Sequence, residues 1–142
     1  MDSNNGTIRL LAITKQTIFL ERIGLFFKPE NIVMVGIALS PLQGLKLIPS
    51  ISFDVLLMDV KWSMDTSPFL LDELVAKVRS AKPLTKIIAI STFYSDPDRN
   101  ELQSLGIDGY FFRTVPNAAS ELISCIKIVA SGKQCFVREV KL

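Results

Sequence analysis

Apolar residues along this chain occur in short continuous runs, separated by longer amphipathic stretches. The runs do not alternate with polar positions, which is typical of strands that are buried on both faces of a parallel sheet. They predict strands at residues 8–13, 32–35, 54–58, 87–90 and 110–112.

Apolar residues in the intervening stretches recur at helical spacing, and each stretch has start and stop signals. The first helix is predicted to bury one face that carries Phe19, Ile23, Phe26 and Phe27. Polar N-caps, most of them followed by proline, predict the later helix starts. These starts are Ser40–Pro41, Ser67–Pro68, Asp96–Pro97 and Asn117. The predicted stops are Pro29, Pro49, Pro83, Gly106 and Gly132.

Five strands thus alternate with five helices, which predicts one α/β domain with a parallel sheet covered on both faces. The 142 residues are enough to bury a core, and no repeat or internal linker interrupts them. We expect the domain to span residues 7–133. Residues 1–6 are expected to form a tail, and residues 134–142 a second tail or the start of a linker.

Composition excludes several classes of function. The net charge is only +2 and the basic residues are scattered, so neither nucleic-acid binding nor membrane binding is expected. The chain has no histidine, which excludes catalysis of the Ser-His-Asp type. Cys125 and Cys135 lack metal-ligand spacing and are expected to be reduced thiols. We therefore expect a cytoplasmic protein that is not an enzyme and has no catalytic residues.

Asp59 is the first candidate for function, because it closes the third predicted strand. In open α/β sheets, ligands bind at the carboxyl ends of the strands. The first strand reaches the same edge at Ile13 and is followed by Thr14 and Lys15.

The element order and several motifs resemble the receiver domain of bacterial response regulators. The stretches that carry the resemblance are residues 54–59, 88–91 and 106–112, and those at 32–38 and 128–133 are similar to the NarL/LuxR subtype. The resemblance implies a flavodoxin-like (CheY-like) five-stranded parallel sheet. Its strand order would be 2-1-3-4-5, with five helices on both faces.

The resemblance also implies roles for individual residues. Asp59 falls on the phosphoacceptor, Ser91 on the switch residue and Tyr110 on the aromatic that couples the site to the output face. The family's acidic pair falls on Thr14 and Lys15, its lysine on Arg113, and its proline on Ser63. Lys61 is a further candidate counter-charge beside Asp59.

These departures bear on metal binding, because Mg²⁺ is usually held by carboxylates and phosphate. An ammonium beside the ion would cost on the order of 4–8 kcal/mol at an effective dielectric near 20. We therefore expect a degenerate magnesium site at Thr14, Lys15 and Asp59, and no cofactor unless that site still binds Mg²⁺. Asp59 is expected to pair with Lys15 or Arg113 instead, and the alternative is that Lys15 points into solvent.

Three functions are compatible with this sequence. The first is an atypical (pseudo-)receiver domain in two-component signalling, which acts mainly through protein contacts. Its partners would be a sensor histidine kinase or another signalling protein, and it could form a homodimer through the last helix. The second is a conventional phosphoaspartate receiver that controls a NarL/LuxR-type DNA-binding regulator. The third is a flavodoxin-like binder of a small ligand.

Overall fold

The computed structural model describes residues 6–60, 62, 70–91, 99–112 and 117–136. All the predicted strands are present, and the chain adds a short one at its end. The strands are β1 Ile8–Ile13, β2 Ile32–Ala38, β3 Val55–Asp59, β4 Lys86–Ser91, β5 Gly109–Phe112 and β6 Cys135–Phe136. The helices are α1 Thr17–Gly24, α2 Pro41–Leu47, α3 Leu71–Ala81, α4 Arg99–Ser104 and α5 Ala118–Ala130. Short 3₁₀ turns occupy Lys28–Glu30 and Ile48–Ser50.

The strands form one parallel sheet in the order β2-β1-β3-β4-β5-β6. The predicted order 2-1-3-4-5 is confirmed. The sixth strand was not predicted: Cys135 pairs with Gly109, and Phe136 pairs with Tyr110. Two residues of the expected C-terminal tail therefore extend the sheet.

Neighbouring residues of each strand face opposite layers, so the sheet has a core on both faces. Leu10 faces the layer of α1 and α5, where it joins a cluster with Leu20 and Leu122. Leu11 faces the other layer, where Leu74 and Leu102 come from α3 and α4. Strands buried in this way need apolar residues at every position, which accounts for the continuous runs in the sequence.

The predicted buried face of the first helix is partly wrong. Leu20, Ile23 and Phe27 are buried, but Phe26 is 56% exposed. The helix ends at Gly24, several residues before Pro29, and the chain then turns. Phe26 therefore no longer follows the helical phase from which its burial was predicted.

The start of α2 is as predicted, and the helix buries a glycine against the sheet. The Ser40 side chain accepts a hydrogen bond from the Gln43 amide, and Pro41 opens the helix. Leu42 is exposed, whereas Gly44 is buried against Ile13. A glycine lies here because α2 approaches β1 too closely for a side chain.

The last helix, α5, does not start with the predicted side-chain cap, but it ends with the predicted glycine. Asn117 precedes α5 with a left-handed φ of 56°, and within the described ranges its side chain makes no capping hydrogen bond. At the other end, Gly132 has φ 97°, and the amides of Gly132 and Lys133 donate to Val129 and Ile128. This is the glycine C-cap that the sequence predicts. The starts predicted at Ser67–Pro68 and Asp96–Pro97 lie outside the described residues.

Candidate functional site

Three strands bring polar residues to the same edge of the sheet. Because β1, β3 and β4 are parallel neighbours, their carboxyl ends meet. Thr14, Asp59 and Ser91 lie at these ends and are 0%, 7% and 1% exposed. A buried polar group is costly unless it is hydrogen-bonded, so the partners of Asp59 decide what this edge can do.

Both carboxylate oxygens of Asp59 accept hydrogen bonds from the residues that follow β1. The hydroxyl of Thr14 donates to Oδ1 at 2.8 Å. The backbone amide of Lys15 donates to Oδ2 at 3.0 Å. Hydrogen bonds to a carboxylate are stronger than those between neutral groups, so these contacts fix the Asp59 side chain between the ends of β1 and β3.

The Thr14 hydroxyl is itself held in place. It accepts a hydrogen bond of 2.8 Å from the backbone amide of Gln16, the residue that precedes α1. The Thr14 amide in turn donates to the carbonyl of Ala38 at 2.9 Å. A chain of hydrogen bonds therefore runs from the start of α1 through Thr14 to Asp59.

The expected ion pair between Lys15 and Asp59 does not form. Lys15 is exposed, and no salt bridge between its ammonium and Asp59 is found among the described residues. Its backbone, and not its charge, reaches the carboxylate. A long charged side chain keeps its hydration when it extends from a strand end, which favours the solvent-facing alternative. Arg113, Lys61 and Ser63 lie outside the described residues.

Trp62 makes a contact that sequence reasoning missed. Its indole Nε1 donates to the backbone carbonyl of Asp59 at 2.9 Å, and the ring is partly buried. The amide of Val60 donates to the Ile90 carbonyl at 3.2 Å, which continues the sheet past Asp59. The only signal in the sequence is the position of the single tryptophan, three residues after the candidate acceptor.

The architecture matches solved structures of other proteins. No protein-family model matches this sequence, and no curated protein aligns with it significantly. The non-phosphorylated receiver domain of the stress response regulator RcsB from Escherichia coli superposes with a TM-score of 0.79, at 16% identity, over 93% of this chain and 99% of that one. The chain has the receiver-domain fold.

Other solved structures agree on this fold. The receiver domain of RcsB from Salmonella enterica serovar Typhimurium, with phosphomimetic BeF₃⁻, gives a TM-score of 0.78 at 16% identity, over 93% of this chain and 94% of that one. The signal receiver domain of the response regulator NarL from Mycobacterium tuberculosis gives 0.71 at 19% identity, over 89% of this chain and 98% of that one.

The remaining candidates of the receiver fold are both buried. Ser91 ends β4, next to Ile90, which pairs with Asp59 in the sheet. Tyr110 is 4% exposed, and its ring lies 4.7 Å from that of Phe112. The aromatic that the resemblance assigns to coupling is therefore turned into the protein.

Carboxylate ligands are scarce among the described residues at this edge of the sheet. The part of the chain that the structure describes holds no group of three or more His, Cys, Asp or Glu that could ligate a metal. Among the residues described at the carboxyl ends of β1, β3 and β4, Asp59 carries the one carboxylate, and both of its oxygens accept hydrogen bonds. The Thr14 hydroxyl donates to Asp59 and accepts from the Gln16 amide, so one of its two lone pairs is already used.

None of the helices in the described part of the chain has the length and hydrophobicity needed to cross a lipid bilayer.

Proposed function

We propose that this chain is an atypical receiver module of two-component signalling, which acts through protein contacts and not through Mg²⁺-dependent phosphorylation of Asp59. The observation that supports it is the pair of hydrogen bonds on the carboxylate, from the Thr14 hydroxyl and the Lys15 amide. The proposal includes a cytoplasmic location, no catalytic role and no resident cofactor.

The physical argument concerns charge. Phosphoryl transfer to a carboxylate concentrates negative charge, which Mg²⁺ normally neutralises. Here Thr14 and Lys15 occupy the positions that would supply the metal-binding carboxylates. Their two hydrogen bonds stabilise Asp59 as a carboxylate, and the acyl phosphate would lose part of that stabilisation. The site is thus suited to hold one conformation without a phosphoryl group.

Signalling proteins, including a sensor histidine kinase, are the proposed partners. One similar structure holds two RcsB dimers bound to two parallel DNAs, with a TM-score of 0.77 over 93% of this chain and 65% of that one. For this chain we propose no direct contact with nucleic acid. A homodimer through α5 remains part of the proposal, and its contacts would be largely polar, because α5 exposes little apolar surface. Cys125 is buried and Ile128 is half-buried, while Ser124 and Lys127 are exposed.

Incubation with acetyl phosphate, with and without Mg²⁺, followed by intact-protein mass spectrometry tests the phosphorylation half of this proposal. We expect no Mg²⁺-dependent phosphoadduct on the wild-type chain. The matched control is the double variant Thr14→Asp, Lys15→Asp, which restores carboxylates to both positions. We expect this variant to gain Mg²⁺-dependent labelling, and Asp59→Asn in the same background to remove it.

Two outcomes would contradict the proposal. Rapid, stoichiometric and Mg²⁺-dependent labelling of wild-type Asp59 would favour a conventional phosphoaspartate receiver of a NarL/LuxR-type regulator. A flavin or nucleotide that copurifies with the chain would favour a ligand-binding role instead. Sedimentation velocity at several concentrations, with and without beryllofluoride, tests the homodimer separately.

A further inference from the structure

The short strand β6 covers an edge of the sheet that the other strands leave open. Without it, β5 would be the last strand on that side. The amide of Cys135 donates to the Asp108 carbonyl at 3.0 Å, and the ladder continues through Gly109 and Tyr110. An uncovered strand edge is a ready template for pairing with another chain.

Gly109 shapes the position where β6 lies. A Cβ at this residue would come within 3.1 Å of the Cys135 carbonyl oxygen, and equally close to Ile88 and Val129. A side chain here would be crowded on all three sides and would require these neighbours to shift slightly. Because Gly109 has no side chain, the segment that forms β6 lies directly against β5 and beside α5; we call the space that it fills the groove.

Side chains on both sides hold the segment in this groove. The Phe136 ring meets the Tyr110 ring edge-on, with centroids 6.5 Å apart. The Cys125 thiol donates to the Cys135 carbonyl at 3.3 Å. An edge-to-face aromatic pair contributes about 0.5–1.5 kcal/mol, so Phe136 is the main anchor of a very short strand.

The chain is directed into the groove by the end of α5. Gly132, with φ 97°, reverses the backbone, and residues 131–134 then connect α5 to β6. So short a connection gives the segment a high effective concentration at the groove. Two paired residues make few hydrogen bonds, however, so the contact itself is weak and can be exchanged.

From these contacts we propose that the β5 edge is a strand-binding site for an extended segment with an aromatic anchor, and that the chain's own residues 135–136 fill it in cis. Filling the site in this way withholds the edge from other chains. When the cis segment is released, the site binds the same segment of a second copy by strand addition. This inference does not depend on the state of Asp59, so either proposal can fail alone.

A labelled peptide that spans residues 132–142 tests the site in fluorescence anisotropy. The full-length chain is compared with Phe136→Ala, which removes the anchor, and with Cys135→Pro, which removes the amide that donates to Asp108. We expect the peptide to bind both variants at least about tenfold more tightly than the wild type, because the cis competitor is weakened. A peptide with alanine in place of Phe136 should not bind. Phe26→Ala, which changes an exposed phenylalanine elsewhere, should behave like the wild type.

Hydrogen exchange of the Cys135 amide, measured on the same proteins, shows whether β6 has been released from β5. We expect the Cys135 amide to be protected in the wild type and to exchange faster in Phe136→Ala. If residues 135–136 are released and the peptide still does not bind, the β5 edge is not a strand-binding site. If protection is unchanged in Phe136→Ala, the aromatic anchor does not hold the segment and the proposal is overturned. Equal peptide affinity for the wild type and both variants would also overturn it.

Discussion

The hydroxyl of Thr14 donates to Oδ1 of Asp59 at 2.8 Å and joins the ends of β1 and β3, which are 45 residues apart in the chain. The donor is fully buried and the acceptor nearly so. A neutral hydroxyl thus donates to a buried carboxylate at the edge of the sheet where β1 and β3 end. The stability of the domain and the chemistry of its site are therefore linked through one side chain.

Thr14→Val tests this link, because valine keeps the shape of threonine and removes the hydroxyl. The substitution leaves Oδ1 of Asp59 with one donor fewer and deprives the Gln16 amide of its acceptor. We expect the free energy of unfolding to fall by about 1–3 kcal/mol, the cost of leaving a buried polar group without a partner. Urea denaturation followed by circular dichroism measures it.

Thr7→Val is the matched control for this prediction. Thr7 precedes β1 and is only half-buried. Away from buried networks, such substitutions usually change stability by no more than about 0.5 kcal/mol. An equal loss of stability in both variants would mean that the Thr14 hydroxyl contributes nothing specific to Asp59.

Lys15→Ala is expected to leave stability unchanged within about 0.5 kcal/mol, because the ammonium is exposed and only the backbone amide reaches Asp59. Lys15→Pro removes that amide and should destabilise the domain clearly. Comparing the Tm values of the two variants separates the contribution of the Lys15 backbone amide from that of its charge. A large loss of stability in Lys15→Ala would restore the ion pair that the sequence suggested.

Gly44→Ala tests the close approach of α2 to β1. A Cβ at Gly44 would lie 2.3 Å from Cδ1 and 2.6 Å from Cγ1 of Ile13, which is far inside van der Waals contact. We expect a loss of about 1–3 kcal/mol from overpacking, despite the better helix propensity of alanine. Ile13→Val, which removes Cδ1, should recover part of that loss in the double variant.

Gly24→Ala is the control for Gly44→Ala, since a Cβ at Gly24 would meet only the edge of the Phe27 ring, at 4.0 Å. There we expect no loss and a gain of up to about 1 kcal/mol from reduced chain entropy. Destabilisation of the same size at both glycines would show that steric crowding at Ile13 is not the cause.

The contacts between Asp54 and Arg9 should make the free energy of unfolding depend on pH in the acid range. Burial raises the pKa of Asp54, but hydrogen bonds from the Arg9 side chain and amide, together with the Arg9 charge, hold it below its ordinary value of 3.8. The amide donates at 2.7 Å and the guanidinium at 2.9 Å. A lowered folded-state pKa stabilises the protein above the unfolded-state value, and the contribution is lost as the pH falls through the folded-state value.

We therefore expect Asp54→Asn to be less stable than the wild type at neutral pH, and the difference to shrink as the pH falls below 3.8. Urea midpoints measured from pH 7 down to the acid limit give this difference directly. Glu21→Gln, an exposed change on α1, is the control and should show no comparable pH dependence. A difference that grows toward low pH would refute the assignment to Asp54.

The layered fold was predictable from the sequence because strands that are buried on both faces need apolar residues at every position. Strands such as β1 and β3 are continuous apolar runs, and the helices between them repeat at their own period. The position of Asp59 at a strand end follows from the apolar run that it closes. The resemblance to receiver domains then predicted that Thr14 and Lys15 lie beside it, and the structure brings all three together.

Only the tertiary structure decided which atoms meet. Lys15 reaches Asp59 with its amide, and Phe136 pairs its strand with Tyr110, although neither contact has a local signature. Gly44 lies inside and Phe26 outside because helix ends and layer spacing set the faces. Periodicity reports what one segment buries, whereas distances between segments depend on how the whole chain packs, and hydrogen bonds form or fail over less than an ångström.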